Sequence, residues 1–163
     1  MGRGATKASG NAWYQARIEA AKWNEKLSSR EGAAEALHMS VDAVTDAELG
    51  LSKVMPVDKA VLMADLYNKP SLLNYYCLHE CPIGKGQPIS DEVPELDRIT
   101  VLLFGKLNED RIKNVRNGLL TVAEDGKVTK DEVAMLSEAV DYLNELSVLT
   151  SKLTNLYKEN TRE

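Results

Sequence analysis

Apolar positions recur at helical spacing through most of the chain. Between Ala12 and about Asn24, Tyr14, Ile18 and Ala21 fall at i, i+4, i+7 and predict an amphipathic helix with those residues inward. Ala33, Ala34 and Leu37 give the apolar face of a short second helix from about Ser29 to Leu37, with Ser28 or Ser29 as its N-cap. A third helix is expected after Ser40, whose hydroxyl can cap the next turn, and it ends near Leu49 with Gly50 just beyond. Pro56 suits the first position of a fourth helix running to Tyr67. Asn68-Lys69-Pro70 breaks it, and Ser71 to about Glu80 reads as a fifth.

From Gly84 to Pro94 the composition turns to Gly, Pro, Gln, Ser and acids, as in a linker. Pro94 then opens a helix carrying Leu96, Ile99, Leu103 and Leu107. After the polar Asn108-Glu109-Asp110 the stripe resumes as Ile112, Val115, Leu119 and Val122. Asp125-Gly126-Lys127-Val128 makes a turn, and Thr129 with Glu132 reads as a capping box. The last helix carries Val133, Leu136, Val140 and Leu143, then Leu146, Leu149, Leu153 and Leu156. At about thirty residues it spans roughly 45 Å. A helix that long with an apolar stripe needs a partner along its length. The short turn makes the preceding helix the first partner, and a second hairpin from another copy would complete the core.

The expected fold is therefore all-α. Residues 1–11 form a basic, flexible arm, 12–81 a five-helix domain, 82–93 a linker, and 94–163 a coiled-coil-like hairpin that makes a homodimer. The dimer contacts expected are Leu96, Ile99 and Leu103 from the first arm, and Val133, Leu136, Val140, Leu143, Leu149, Leu153 and Leu156 from the second.

The stretch Ala33-Ala34-Glu35-Ala36-Leu37-His38-Met39-Ser40 is followed by Val44 and Ala47, then Glu48-Leu49-Gly50, Pro56 and Met63-Ala64. In residue type and spacing this resembles the XRE, or lambda-repressor-like, helix-turn-helix family. That family has Leu-Ala-x-x-Leu-Gly-Val-Ser, a recognition helix, Glu-x-Gly and a Pro-started helix. The resemblance implies a DNA-binding transcriptional regulator of phage or mobile-element type, with double-stranded DNA as partner. The first residues of the third helix would then lie in the major groove. These are Ser40, Val41, Asp42, Ala43, Thr45 and Asp46, with Arg30 and Lys53 near phosphates and Arg3 and Lys7 in the arm.

The chain departs from the family pattern twice. The turn glycine is His38, which must then visit the left-handed region. None of the expected groove residues is Arg, Lys, Asn or Gln, the usual readers of guanine and adenine edges. Asp42 and Asp46 would oppose an anionic groove, although an aspartate can accept from cytosine and Val or Ala can pack on a thymine methyl.

Charge sharpens the choice of partner. The net charge is -5. Residues 1–30 nevertheless hold six basic side chains against Glu19 and Glu25, and residues 31–69 hold three against seven acids. The basic end suits DNA. The acidic third helix suits an alternative, an anti-CRISPR protein that inhibits a CRISPR effector nuclease by binding it through the helix-turn-helix domain or an acidic surface.

Other chemistry finds little footing. No apolar run approaches the ~20 residues of a membrane span, and no signal peptide is expected, so the protein reads as cytoplasmic. Met1-Gly2-Arg3-Gly4-Ala5-Thr6 fits a myristoylation pattern, but two glycines and a basic residue equally describe a plain arm. Cys77, His79 and Cys81 supply only three soft ligands, one short of a zinc site, so no metal or other cofactor is expected. Asp125-Gly126 lacks the ligand ladder of a calcium loop. There is no Walker loop, GxSxG elbow or HExxH, and an enzyme is not expected.

Overall fold

The computed structural model describes residues 7–52 and 55–161. Among them are eight α-helices, one short 3₁₀ helix and no strand, so the fold is all-α. The helices are α1 (Ala12–Ala20), α2 (Arg30–Leu37), α3 (Val41–Leu49), α4 (Val57–Leu66), α5 (Ser71–His79), α6 (Leu96–Lys106), α7 (Glu109–Ala123) and α8 (Glu132–Thr161), with the 3₁₀ helix at Glu25–Ser28. They fall into two compact units. One holds the described residues up to Gln87 with 158–161, and the other is Pro88–Tyr157.

In the first unit, local chemistry sets most helix ends. Ser29 Oγ accepts from Gly32 N at 3.0 Å to open α2, and Ser40 Oγ accepts from Ala43 N at 3.1 Å to open α3. Three successive helices then close in one way. His38, Gly50 and Asn68 all take positive φ, at 50°, 65° and 50°. The amide one residue further on reaches back five residues, as in Met39 N to Ala34 O at 2.9 Å, Leu51 N to Asp46 O at 2.9 Å and Lys69 N to Ala64 O at 2.8 Å. These are Schellman closures, which satisfy carbonyls the helix end would leave bare. His38 thus occupies the left-handed position expected of it, without the glycine that position favours.

The core of this unit gathers Trp13, Leu27, Leu37, Val44, Met63 and Tyr67, with small alanines where helices approach closely. The inward face of α1 differs from the expected one. Trp13, Ala16, Arg17 and Ala20 are buried, whereas Ile18 is 40% exposed and Tyr14 and Ala21 are half-buried. An arginine in the middle of the buried face hides that face from a pattern of apolar residues. The helix is also shorter than predicted. Asn24 lies beyond a turn that leads into the 3₁₀ segment. Pro56 stands as the N-cap of α4, one position earlier than expected.

In the second unit, the first arm of the expected hairpin is two helices. Leu107 leaves the helical region (φ -79°, ψ 48°), and Asn108 is extended and caps α7 with its side chain, accepting from Asp110 N and Arg111 N. The polar triplet that seemed to interrupt one stripe is a helix end and a new start. The 88–95 segment, α6 and α7 are each tied to α8. Ser90 N donates to Ser151 Oγ at 2.7 Å, and Asn155 Nδ2 to Ser90 O at 2.8 Å. Tyr142 Oη donates to Lys106 O at 2.7 Å, and Gly118 packs against Met135. Of the expected capping box at Thr129, the reverse half forms, with Thr129 N donating to Glu132 Oε2 at 2.8 Å.

The expected dimer residues divide. Ile99 and Leu149 are buried inside the unit itself (0% and 8% exposed), which corrects their assignment to a contact between copies. Leu103, Leu136 and Leu156 are half-buried, and Leu96, Val133, Val140, Leu143 and Leu153 are exposed. On α8 the packed face runs through Ala139, Tyr142 and Leu149. The 3-4-3 stripe of Val133, Leu136, Val140 and Leu143 is therefore not the one that meets the preceding helix.

Candidate nucleic-acid interface

The candidate surface is the outer side of α3 with the turn that precedes it. Val44, Ala47 and Glu48 face the core, leaving Val41, Asp42 and Asp46 exposed and Ala43 and Thr45 half-buried. Ser40 is exposed, its Oγ engaged as the cap. Thr45 Oγ1 donates to Val41 O at 2.8 Å, so its proton is spent within the helix, and its methyl and the lone pairs of its oxygen are left to contribute. One helix thus brings together Ser40, Val41, Asp42, Ala43, Thr45 and Asp46, as helical periodicity requires.

What holds α3 in place is a buried charge cluster that sequence reasoning missed. Glu48 is fully buried. Arg17 Nε donates to Glu48 Oε1 at 2.5 Å and its Nη2 to Oε2 at 3.2 Å, while Nη1 donates to Leu27 O at 2.8 Å. Arg30 Nε donates to Oε2 of the same carboxylate at 2.7 Å, so that oxygen accepts from both arginines. One carboxylate on α3 therefore clamps α1 and the first residue of α2. Burial works against the charge of Arg17, but the hydrogen bond and attraction to Glu48 outweigh it and hold the guanidinium above its ordinary pKa. The Tyr67 hydroxyl, buried with no hydrogen-bond partner among the described residues, is held protonated by burial and by the negative charge of Glu48. In the sequence Glu48 stands out only through the Glu-x-Gly spacing. The signal that could have found the cluster is an acid on the inward face of α3, which needs a buried cation.

Arg30 is accordingly no free surface cation. Its side chain is 30% exposed and its Nε is committed to Glu48. Lys7 is exposed. Asn11, four residues on, caps α1 and donates from Nδ2 to Ala47 O at 3.0 Å, tying the start of α1 to the end of α3. Arg3 and Lys53 lie outside the described residues. Lys59, which the sequence did not single out, lines a depression of about 390 Å³ together with Ser40, Ala43, Asp46 and Met55. It sits in the first turn of α4, close in space to the start of α3.

The thiols of Cys77 and Cys81 are free and half-buried against the core. Gly84 returns onto the backbone of Cys77 so closely that a Cβ there would lie 2.2 Å from its carbonyl oxygen. No group of three or more His, Cys, Asp or Glu side chains among the described residues could hold a metal ion. No described helix is long and apolar enough to cross a membrane. No protein-family model, curated protein or solved structure matches the chain.

Proposed function

We propose that the first unit is a helix-turn-helix domain that binds double-stranded DNA, and that the chain is a homodimeric transcriptional regulator of phage or mobile-element type. The observation that carries this reading is the α2–His38–Ser40–α3 arrangement. A left-handed residue closes α2, a serine caps α3 two residues later, and α3 is fixed from behind by Glu48 with its outer side open. A helix so placed can enter a major groove. Val41, Ala43 and the Thr45 methyl would contact thymine methyls, and Asp42 or Asp46 could accept from cytosine N4.

The exposed carboxylates of α3 favour a second reading, in which this surface docks on a basic channel of a CRISPR effector nuclease. One experiment separates them. Binding to random duplex is titrated against salt. The DNA reading expects affinity at low salt that falls steeply as salt rises, because phosphate contacts release counterions. Absence of any duplex binding at low salt removes it.

A further inference from the structure

We infer that the last turn of α8 is a strap on the first unit. Glu159 holds the start of α5 in place, and through α5 it holds the loop between α3 and α4 that borders the candidate surface. Residues 158–161 belong to the first unit, so every contact involved lies within it. The strap stands whether or not that unit binds DNA.

Among α1 to α5, α5 alone has neither a side-chain cap nor an acid in its first turn. Pro70 stands at its N-cap position, and the helix has only nine residues, too few to be stable by itself in water. The missing negative charge comes from 88 residues away. Ser71 Oγ donates to Glu159 Oε1 at 2.5 Å, and Lys69 Nζ donates to Glu159 Oε2 at 2.9 Å. The dipole of α5 favours a carboxylate at this end as well. Lys69 Nζ also lies 3.2 Å from Glu19 Oε2, so the cluster reaches α1. The Glu159 side chain is 13% exposed and Ser71 is 5% exposed, which separates this arrangement from an exposed ion pair of little worth. Burial works against the charge of Lys69, and its hydrogen bond and attraction to Glu159 outweigh that cost.

What α5 holds in turn follows from its buried face. Leu72 and Tyr76, one helical turn apart, pack into the core. Tyr76 Oη donates to Met55 O at 3.0 Å. Met55 lies between α3 and α4 and lines the depression beside Ser40, Ala43 and Asp46. Loosening the first turn of so short a helix therefore loosens the segment that flanks α3.

Amide exchange of the full chain, followed residue by residue by NMR, tests the strap. In Glu159→Ala the amides of Leu72 and Leu73, which donate to Lys69 O and Pro70 O, should exchange about tenfold faster, as for the loss of a charge-assisted hydrogen bond. Those of Lys59 and Ala60, which donate to Pro56 O just beyond Met55, should follow by a smaller factor. Ala33 in α2 should keep its wild-type rate. Alanine forms helix at least as well as glutamate, so the change does not weaken α8 itself. Ser71→Ala, which leaves Glu159 paired with Lys69, should give a smaller rise at Leu72 and Leu73. Glu138→Ala, at an exposed acid of α8 in the second unit, should change none of these rates. Unchanged exchange at Leu72 and Leu73 in Glu159→Ala overturns the strap. A rise there that leaves Lys59 and Ala60 at their wild-type rates overturns the link to the α3–α4 loop. An equal rise at Ala33 means that Glu159 supports the whole unit evenly, and overturns its assignment to α5.

Discussion

Glu48 shows how one residue can join elements that lie far apart in the chain. Burying a carboxylate is costly unless it is paired, and Glu48 is paired twice, to Arg17 and to Arg30. Glu48→Ala leaves the buried Arg17 charge without its partner and should cost about 3–5 kcal/mol in chemical denaturation. Replacing Arg17 and Glu48 together by Met and Leu should cost clearly less than the single change, because no buried charge is then left alone. Equal losses in the two variants would mean that the cluster contributes by packing and not by charge. His38 offers the opposite case. It is exposed and holds φ at 50°, so His38→Gly should raise stability by about 0.5–1 kcal/mol. A lower denaturation midpoint would show that the imidazole makes an interaction worth more than the strain. At Glu145 the hydrogen bond from Lys106, at 2.7 Å, keeps the carboxyl below its ordinary value of 4.5. A depressed carboxyl stabilises the fold above its unfolded pKa, and that contribution is lost as pH falls through the folded value. In Lys106→Met the Glu145 carboxyl, followed by NMR titration, should move back up.

At the scale of the element, what the sequence revealed and what it hid follow from the range of the forces involved. Helix ends were legible because caps and breakers act within a few residues. Ser29, Ser40, Gly50 and the Asn68-Lys69-Pro70 break stand where their local chemistry places them. Helix faces were less so. The buried face of α1 turns on Arg17, whose partner is 31 residues away, and no pattern within α1 reports it. Along α8 two apolar stripes compete. Periodicity finds both, but the choice of Ala139, Tyr142 and Leu149 as the packed one is made by α6 and α7. The boundary between α6 and α7 was visible as Asn108-Glu109-Asp110, and its meaning depends on the Asn108 side chain. That cap can be tested alone. Asn108→Ala should cost about 1 kcal/mol and fray the first turn of α7, seen as faster amide exchange at Asp110 and Arg111. Unchanged exchange there would mean that packing alone starts the helix.

For the whole molecule, charge is what a DNA partner must overcome. The chain carries a net charge of -5, and the proposed reading helix adds Asp42 and Asp46 to the surface that would approach phosphates. Of the cations expected near phosphates, Arg30 is held by Glu48, so an Arg30→Ala variant would mix lost binding with lost stability. Lys7 and Lys59 are cleaner probes, since neither makes an ion pair with another described residue. If α3 enters DNA, Asp42→Asn and Asp46→Asn each remove one repulsive charge from an exposed position. Non-specific affinity should then rise several-fold at low salt, and the gain should shrink as salt screens it. Lys7→Ala or Lys59→Ala should weaken binding across all sequences and flatten the log-affinity against log-salt slope by about one unit for each lost phosphate contact. If α3 instead docks on a basic protein channel, the same aspartate changes should weaken that docking, and the lysine changes should matter little. Measuring the four variants against random duplex and against a CRISPR effector nuclease therefore gives opposite signs for the two readings. Aspartate variants that leave duplex affinity unchanged at low salt would place α3 away from DNA.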